Sequence, residues 1–449
     1  MPRTFSFFSA SFRSLICGLM LVALALPVGA DEADLAFADS LPMRPDARIV
    51  NGTWSQGDPT TVALVGRGES EPFCTGTLVG CNTVVTAAHC VCNGDGRSCQ
   101  NLGDGGVDIF LQHGGRHRVS RILVPNDYVF GERADLAVMR LAEPVTGIAP
   151  TPINDRRRLS NGTPGSIVGF GVTSGIRDDD GLKRRGAIRT AACASVPGNE
   201  HVCWRYDAPI GSPGSNSNTC YGDSGGPLFA TVDGRTVLAG VTSGGDEENC
   251  GTGDTPFDAD VFARHTWIRN QAGEALGGGV CGGLPAVGGQ QVDVFSGSGS
   301  LNGGQREQRF DFQVPSGASR LRLTANGTRN GLEVFMRRGS QPTTNSFDCR
   351  ASTFSDGCDI ASPTSGRWHV LVRQNSGSGD FQATATVFRT GSGGGGGGGA
   401  GGGGGGGAGG GGGGGSSCSA ADVLCVDRTP GDNRFRVRVA FRQGGGAAQ

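Results

Sequence analysis

Six consecutive residues, Gly222-Asp223-Ser224-Gly225-Gly226-Pro227, set a serine among glycines. A hydroxyl that attacks a carbonyl needs open space around it and backbone N–H donors aimed at the oxygen that takes up charge. The glycines give the space, and Gly222 and Ser224 are the candidate oxyanion donors. Serine at its ordinary pKa is a weak nucleophile and needs a base. His89, in Thr86-Ala87-Ala88-His89-Cys90, follows a β-type run and precedes a cysteine able to pin it. His113, His117, His201, His265 and His369 have no such setting and read as surface or packing residues. The base in turn needs a carboxylate to fix its tautomer and stabilise its charged form. Asp135, Asp127 and Asp108 all qualify, and residue type and spacing alone do not choose among them.

Short β-type runs broken by Gly, Asn, Asp and Pro must position these groups. They include residues 62–65, 83–86, 136–139, 166–170 and 237–241. Such a series predicts an all-β sandwich or barrel. A closing helix is expected near residues 265–271.

The chain has 449 residues and a formal net charge of −2, which gives no reason to expect nucleic acid or an anionic membrane as partner. Arg3 and Arg13, the apolar run from Leu15 to Val28 and the small residues at 28–30 read as a signal peptide, so a secreted or periplasmic product without a membrane span is expected. Removing Cys17 from the 15 cysteines leaves an even number, the pattern of disulfides in an exported chain. Cys90-Val91-Cys92 lacks zinc-ligand spacing, and neither a metal nor any other cofactor is expected. The expected layout is a signal peptide (1–30), a propeptide (31–48), a β-rich unit (49–276), a Gly/Pro-rich joint (277–289), a second β-rich unit (290–390), a Gly-rich flexible linker (391–415) and a short tail (416–449).

Ile49-Val50-Asn51-Gly52, Thr86-Ala87-Ala88-His89-Cys90, Asp135-Leu136-Ala137 and the 222–227 string resemble, in that order, the chymotrypsin/trypsin family. The resemblance covers about half the chain. It implies two packed six-stranded antiparallel β-barrels with the site between them, and a triad of His89, Asp135 and Ser224. It also implies activation by cleavage at Arg48-Ile49, the freed Ile49 ammonium turning inward to pair with Asp223. Ser243 resembles the serine that holds the buried aspartate. Cys74/Cys90 and Cys220/Cys250 resemble family disulfides, and Cys193/Cys203 is a third expected pair. Cys81, Cys92, Cys99 and Cys281 admit three arrangements. The resemblance places Asn218 at the floor of the specificity pocket beside Thr219, with Ser243, Gly244 and Gly245 along it, the two glycines leaving its mouth open to a large side chain. A neutral Asn218 argues for a neutral P1 residue, hence for activation by a second protease. Asp254 or Asp258 could bring in a carboxylate and favour Arg/Lys instead. The implied partners are protein or peptide substrates. A protease-like binding protein that has lost turnover is the competing class.

Residues 331–340, 347–349 and 366–372 resemble the bacterial pre-peptidase C-terminal domain, a small β-sandwich without catalytic residues. Within it Cys349/Cys358 is an expected pair, and Trp368 reads as core. The tail carries a further expected pair, Cys418/Cys425, and a basic β-type run, too short to fold unaided.

Overall fold

The computed structural model describes residues 49–93, 99–101, 106–194, 196–207, 214–277, 281, 291–328, 331–389, 424–428 and 435–440. Residues 1–48, where a signal peptide and propeptide are expected, most of residues 277–289, the Gly-rich residues 391–415 and Cys418 lie outside the described residues.

Strands β1 (Thr61–Gly66), β2 (Pro72–Leu78), β3 (Thr83–Thr86), β4 (Val107–Leu111), β5 (Gly115–Leu123) and β6 (Ala137–Leu141) close the first barrel in the order β1-β2-β3-β6-β5-β4. Strand β1 is an unbroken apolar run because both its faces are covered. Val62 and Leu64 join the main core, while Ala63 and Val65 meet Phe110, Phe170 and Phe354 in a separate cluster.

The second barrel follows with β7 (Pro164–Gly169), β8 (Arg184–Ala191), β9 (His201–Trp204), β10 (Pro227–Val232), β11 (Arg235–Gly244) and β12 (Phe257–Asp260). Its order is β8-β7-β10-β11-β12-β9, and β9 pairs back to β8 to close it. Helix α1 (Val261–Ala272) ends the unit. The Asp260 side chain caps its first turn by accepting from Phe262 N at 2.9 Å, and Gly273, at φ 69°, terminates it. The helix is longer than the sequence pattern indicated because the cap lies on the preceding strand.

Beyond the joint lie β13 (Gln291–Leu301), β14 (Glu307–Val314), β15 (Ala318–Gly327), β16 (Leu332–Arg338), β17 (Cys349–Ser352), β18 (Cys358–Ala361), β19 (Gly366–Gln374) and β20 (Gly379–Arg389). They form two sheets. One has the order β14-β19-β16-β17, and the other runs β18-β15-β20-β13. Leu321, Leu323 and Ala325 of β15 and Phe381, Ala383 and Ala385 of β20 point into their shared core, with Trp368 and Val370 from the facing sheet. The tail strands β21 (Leu424–Arg428) and β22 (Phe435–Ala440) extend the second sheet, β22 pairing with the free side of β13. The help the tail needs is this backbone pairing.

Disulfides join Cys74–Cys90, Cys193–Cys203, Cys220–Cys250 and Cys349–Cys358. The four cysteines left open by the sequence pair as Cys81–Cys281 and Cys92–Cys99. The expected Cys418–Cys425 pair is not among the disulfides of the described residues, because Cys418 lies outside them. What is described at Cys425 is its place in β21, where the register sets it opposite Arg438 of β22. Strand pairing is the restraint described for residues 424–428. Among the described residues, no helix is long and apolar enough to cross a membrane.

Candidate active site

Pairing of β3 with β6 aligns Thr86 with Ala137 at the strand ends. The chain leaving β3 therefore meets the chain entering β6, which puts His89 beside Asp135. His89 Nδ1 lies 2.8 Å from Asp135 Oδ2, and His89 N donates to Asp135 Oδ1 at 3.0 Å. Ser243, near the end of β11, donates to Asp135 Oδ2 at 2.5 Å and so ties the second barrel to the first. Asp135 is buried. Burial alone would raise its pKa, but the neighbouring His89, its hydrogen bonds and that from Ser243 hold the carboxyl below its usual range. Ala134 takes a left-handed backbone, φ 55°, to deliver the aspartate inward, the kind of local strain that clusters at functional sites.

The rival carboxylates are engaged elsewhere. Asp108 pairs with Arg67 and Arg116, and Asp127 with Arg264.

Ser224 sits in the turn before β10. Thr75 N donates to Ser224 O at 2.8 Å, and Thr75 Oγ1 donates to Gly222 O at 2.8 Å. Cys90 Sγ lies 3.5 Å from Ser224 O, so the disulfide next to His89 also touches the serine's backbone. Gly225 has to be glycine. Its φ is +80°, and a Cβ there would stand 2.1 Å from Thr86 Oγ1 and 2.8 Å from Ala87 N. The serine turn is pressed against the segment that carries His89. The amides of Asp223, Gly225 and Gly226 donate to Cys220, Thr242 and Asp223 carbonyls. Among the described residues, those of Gly222 and Ser224 have no recorded protein acceptor, as a pair of oxyanion donors requires.

Ile49 is buried among Ile167, Ile188, Trp204 and Leu228. The adjoining Val50 O accepts from Asn218 N at 3.0 Å, and Asn51 O from Ser217 Oγ at 3.0 Å. The segment after Arg48 is thus bonded to residues 217 and 218, where Val50 and Asn218 form an isolated β-bridge. Asp223 is buried and accepts from Gly171 N and Cys220 N, each at 2.9 Å. Burial pushes its carboxyl up to about 7, although the Cys220 and Gly171 amides and the Arg184 guanidinium pull the other way.

Asn218 spends its amide internally, donating to Asp254 Oδ2 at 2.7 Å and Cys250 O at 3.3 Å and accepting from Thr219 N at 2.8 Å. Gly244 and Gly245 do not leave open space. A Cβ on Gly245 would stand 2.6 Å from the Asp254 carboxylate, and one on Gly244 2.9 Å from the Phe257 ring. Asp258 packs against Gly240 inside the barrel, where burial raises its carboxyl well above the usual range.

Sequence reasoning missed Phe130, whose ring stands edge-on to His89 at 5.1 Å, and Tyr221, which donates to Glu248 O at 2.6 Å. Both are exposed. A large aromatic in a polar loop three to six residues from a site residue is the signal that could have found them. Cys74, His89 and Cys90 cluster, but both sulfurs are spent in a disulfide and hold no metal.

The trypsin family model matches residues 49–268, and the bacterial pre-peptidase C-terminal domain matches residues 306–374. Chymotrypsin-like elastase family member 1 of Canis lupus familiaris is 30% identical over 247 residues, covering 50% of this chain and 92% of the relative. The chain belongs to the trypsin family. A trypsin of Saccharopolyspora erythraea is 32% identical over 219 residues, 46% of this chain and 88% of that protein. Vitamin K-dependent protein C of Mus musculus is 31% identical over 257 residues, and the match covers 52% of this chain but only 53% of that relative's length. The trypsin-family barrels and the appended domain account for both architectures described above.

Proposed function

We propose that this chain is a secreted serine endopeptidase made as a zymogen. The observation that carries the reading is the continuous link Ser243–Asp135–His89, set beside a serine turn whose Gly222 and Ser224 amides are unspent. Bound through Nδ1 to a buried carboxylate, His89 presents Nε2 as the basic nitrogen. It takes the Ser224 proton as Oγ attacks the peptide carbonyl. The Gly222 and Ser224 amides hold the oxyanion, and His89 protonates the leaving amine. Water then releases the acyl group by the same route. Asp135 keeps its negative charge throughout.

Activation is read as cleavage between Arg48 and Ile49. The freed ammonium would give Asp223 a direct ion pair, offsetting the burial that raises its carboxyl. The Arg48→Gln precursor is expected to stay inactive. The signal-like N-terminal sequence, the six disulfides among the described residues and the bacterial accessory domain support export.

For P1, the neutral Asn218 supports a neutral side chain and a separate activating protease. One observation favours the Arg/Lys reading, which allows self-activation: the Asp254 carboxylate lies 2.7 Å from the Asn218 amide, along the same pocket. Burial raises Asp254 to about 6, so it gains charge as pH rises from 5 to 7. If it reads P1, preference for Arg over Leu grows across that interval, and Asp254→Asn removes both the preference and its pH dependence. If P1 is neutral, neither changes.

The decisive experiment is covalent labelling by a fluorophosphonate after cleavage at residue 48. Labelling of the wild type and none of Ser224→Ala is expected. An unlabelled, correctly oxidised, cleaved protein would mean a binding protein on a protease fold.

A further inference from the structure

The C-terminal sandwich buries the wrong face for a free-standing appendage. Successive residues of a strand point to opposite sides. On β15 and β20 one set fills the sandwich core. The alternate set, Thr324, Asn326, Gln382, Thr384 and Thr386, is polar and should meet water, yet every one is buried, at most 1% exposed. What covers them is the protease unit. Thr324 Oγ1 donates to Gln112 O, Asn326 Nδ2 to Gly181 O at 2.9 Å, and Thr386 Oγ1 lies 3.2 Å from His113 Nδ1. Gln382 Oε1 gathers Asn326 Nδ2 at 2.8 Å, Lys183 N at 3.2 Å and Gln112 Nε2 at 3.4 Å. Beside this polar patch Phe354 is fully buried, its ring 4.9 Å from Phe110 and 6.3 Å from Phe170.

Several of these contacts fall on the ends of one protease loop, residues 170–184. Its ends are tied together, with Gly181 N donating to Phe170 O at 2.7 Å and Arg184 Nη1 to Gly171 O at 2.7 Å. Gly181 is held so closely that a Cβ there would stand 2.3 Å from Gly327 O of the sandwich. From its other side the loop supports the nucleophile. Gly171 N donates to Asp223 Oδ1 at 2.9 Å, Val172 N to Tyr221 O at 2.8 Å and Phe170 N to Thr75 Oγ1 at 3.2 Å. Thr75 in turn holds Gly222 and Ser224.

We propose that the sandwich is a clamp in cis on the 170–184 loop, and that Phe354, Asn326 and Gln382 are positioning residues for the oxyanion turn. They touch no substrate. They act through Gly181 and Phe170 on Gly171, and through Gly171 on Asp223 and its neighbours. The proposal rests on the reading of Ser224 as nucleophile only for its kinetic arm.

The test uses the full chain, cleaved at residue 48, as wild type, Phe354→Ala, Phe354→Leu, Gln382→Ala and, as a control on the far sheet, Arg309→Ala. Amide hydrogen exchange is read by mass spectrometry on peptides covering 168–184 and 218–226. Turnover is read on a short peptide substrate too small to reach the sandwich. Phe354→Ala and Gln382→Ala are expected to speed exchange in both peptides. Both should lower kcat by about 10-fold or more with a smaller change in KM, short of the 10²–10³-fold cost of losing an oxyanion donor outright. Phe354→Leu should recover most of the loss, and Arg309→Ala should match the wild type. If Phe354→Ala does not fold, Gln382→Ala, which only deletes an amide, carries the test. Faster exchange confined to the sandwich, with both protease peptides and kcat unchanged, would overturn the clamp. Exchange is measured whether or not the wild type turns over, so an inactive wild type with loosened 218–226 exchange would defeat the protease reading and leave the clamp standing.

Discussion

Asp135 shows how single residues carry this site. It is buried, and it keeps its charge because three hydrogen bonds converge on it. Asp135→Asn retains the shape but offers His89 Nδ1 an amide that can turn its donor inward and stabilise the wrong tautomer. The expected loss is the family's own reference value for such a change, about 10⁴ in kcat, with KM little altered in steady-state assays. Ser243→Ala removes one of the three bonds and should cost far less, about 10- to 150-fold, since a hydrogen bond to a charged group contributes roughly 1.5–3 kcal/mol. Equal losses for the two variants would show that Ser243 does more than hold the carboxylate. The three candidate acids were indistinguishable by residue type. What separates them physically is partners brought in from other parts of the fold: arginines for Asp108 and Asp127, imidazole and hydroxyl for Asp135.

At the scale of elements, the strands were legible where apolar runs were bounded by turn residues, and β1, β3, β6, β7 and β11 fall on the predicted runs. The turn after β4 was not. His113 read as a surface or packing residue, and the sequence gives no hint of what it meets. Its ring faces Thr386 of β20, Gln56 O and, farther off, the Lys183 ammonium. Burial first, then Lys183, pushes it down to about 3 from 6.5. The sign is fixed by linkage. An unfolded or undocked chain takes up this proton near 6.5 and the native chain only near 3, so the stability held at neutral pH is lost progressively as pH falls between those values. His113→Gln removes that proton-linked loss. Thermal melts at pH 7.5 and pH 5 should show a larger drop for the wild type than for the variant. Parallel drops would mean that His113 is not held neutral at this contact. The proposed specificity pocket was the least legible part. Asn218 was placed by resemblance, but Asp254, which binds it, arrives from a loop 36 residues later.

For the whole molecule, the C-terminal sandwich read as a unit set apart from the protease by a joint, because the polar sides of β15 and β20 carry the pattern of a solvated face. Burial of Thr, Asn and Gln against another domain leaves no mark in hydrophobic periodicity. The same holds for Cys81–Cys281, which closes a separation of 200 residues. That bond sits where the protease hands over to the joint. The Glu274 carboxylate accepts from Asn82 N at 2.7 Å and from Thr83 Oγ1 at 2.6 Å, and Gly277 N donates to Val79 O at 2.9 Å. The disulfide therefore ends a segment already laced to the approach to β3. Chain-entropy arguments assign a loop of this length about 5 kcal/mol. The protease's other disulfides already shorten the free path through that loop, so the measured stabilisation should be smaller. The paired substitution Cys81→Ser with Cys281→Ser is expected to lower the melting temperature by several degrees at the usual ~2–4 °C per kcal/mol for a unit of this size. It should also speed proteolytic nicking between residues 278 and 290. Because the hydrogen bonds of Glu274 and Gly277 remain and the sandwich still grips the 170–184 loop, kcat on a short peptide should hold within about twofold, the scale of a few tenths of a kcal/mol. A large fall in kcat with no change in melting temperature would mean that the joint communicates with the site directly, by a route other than the clamp.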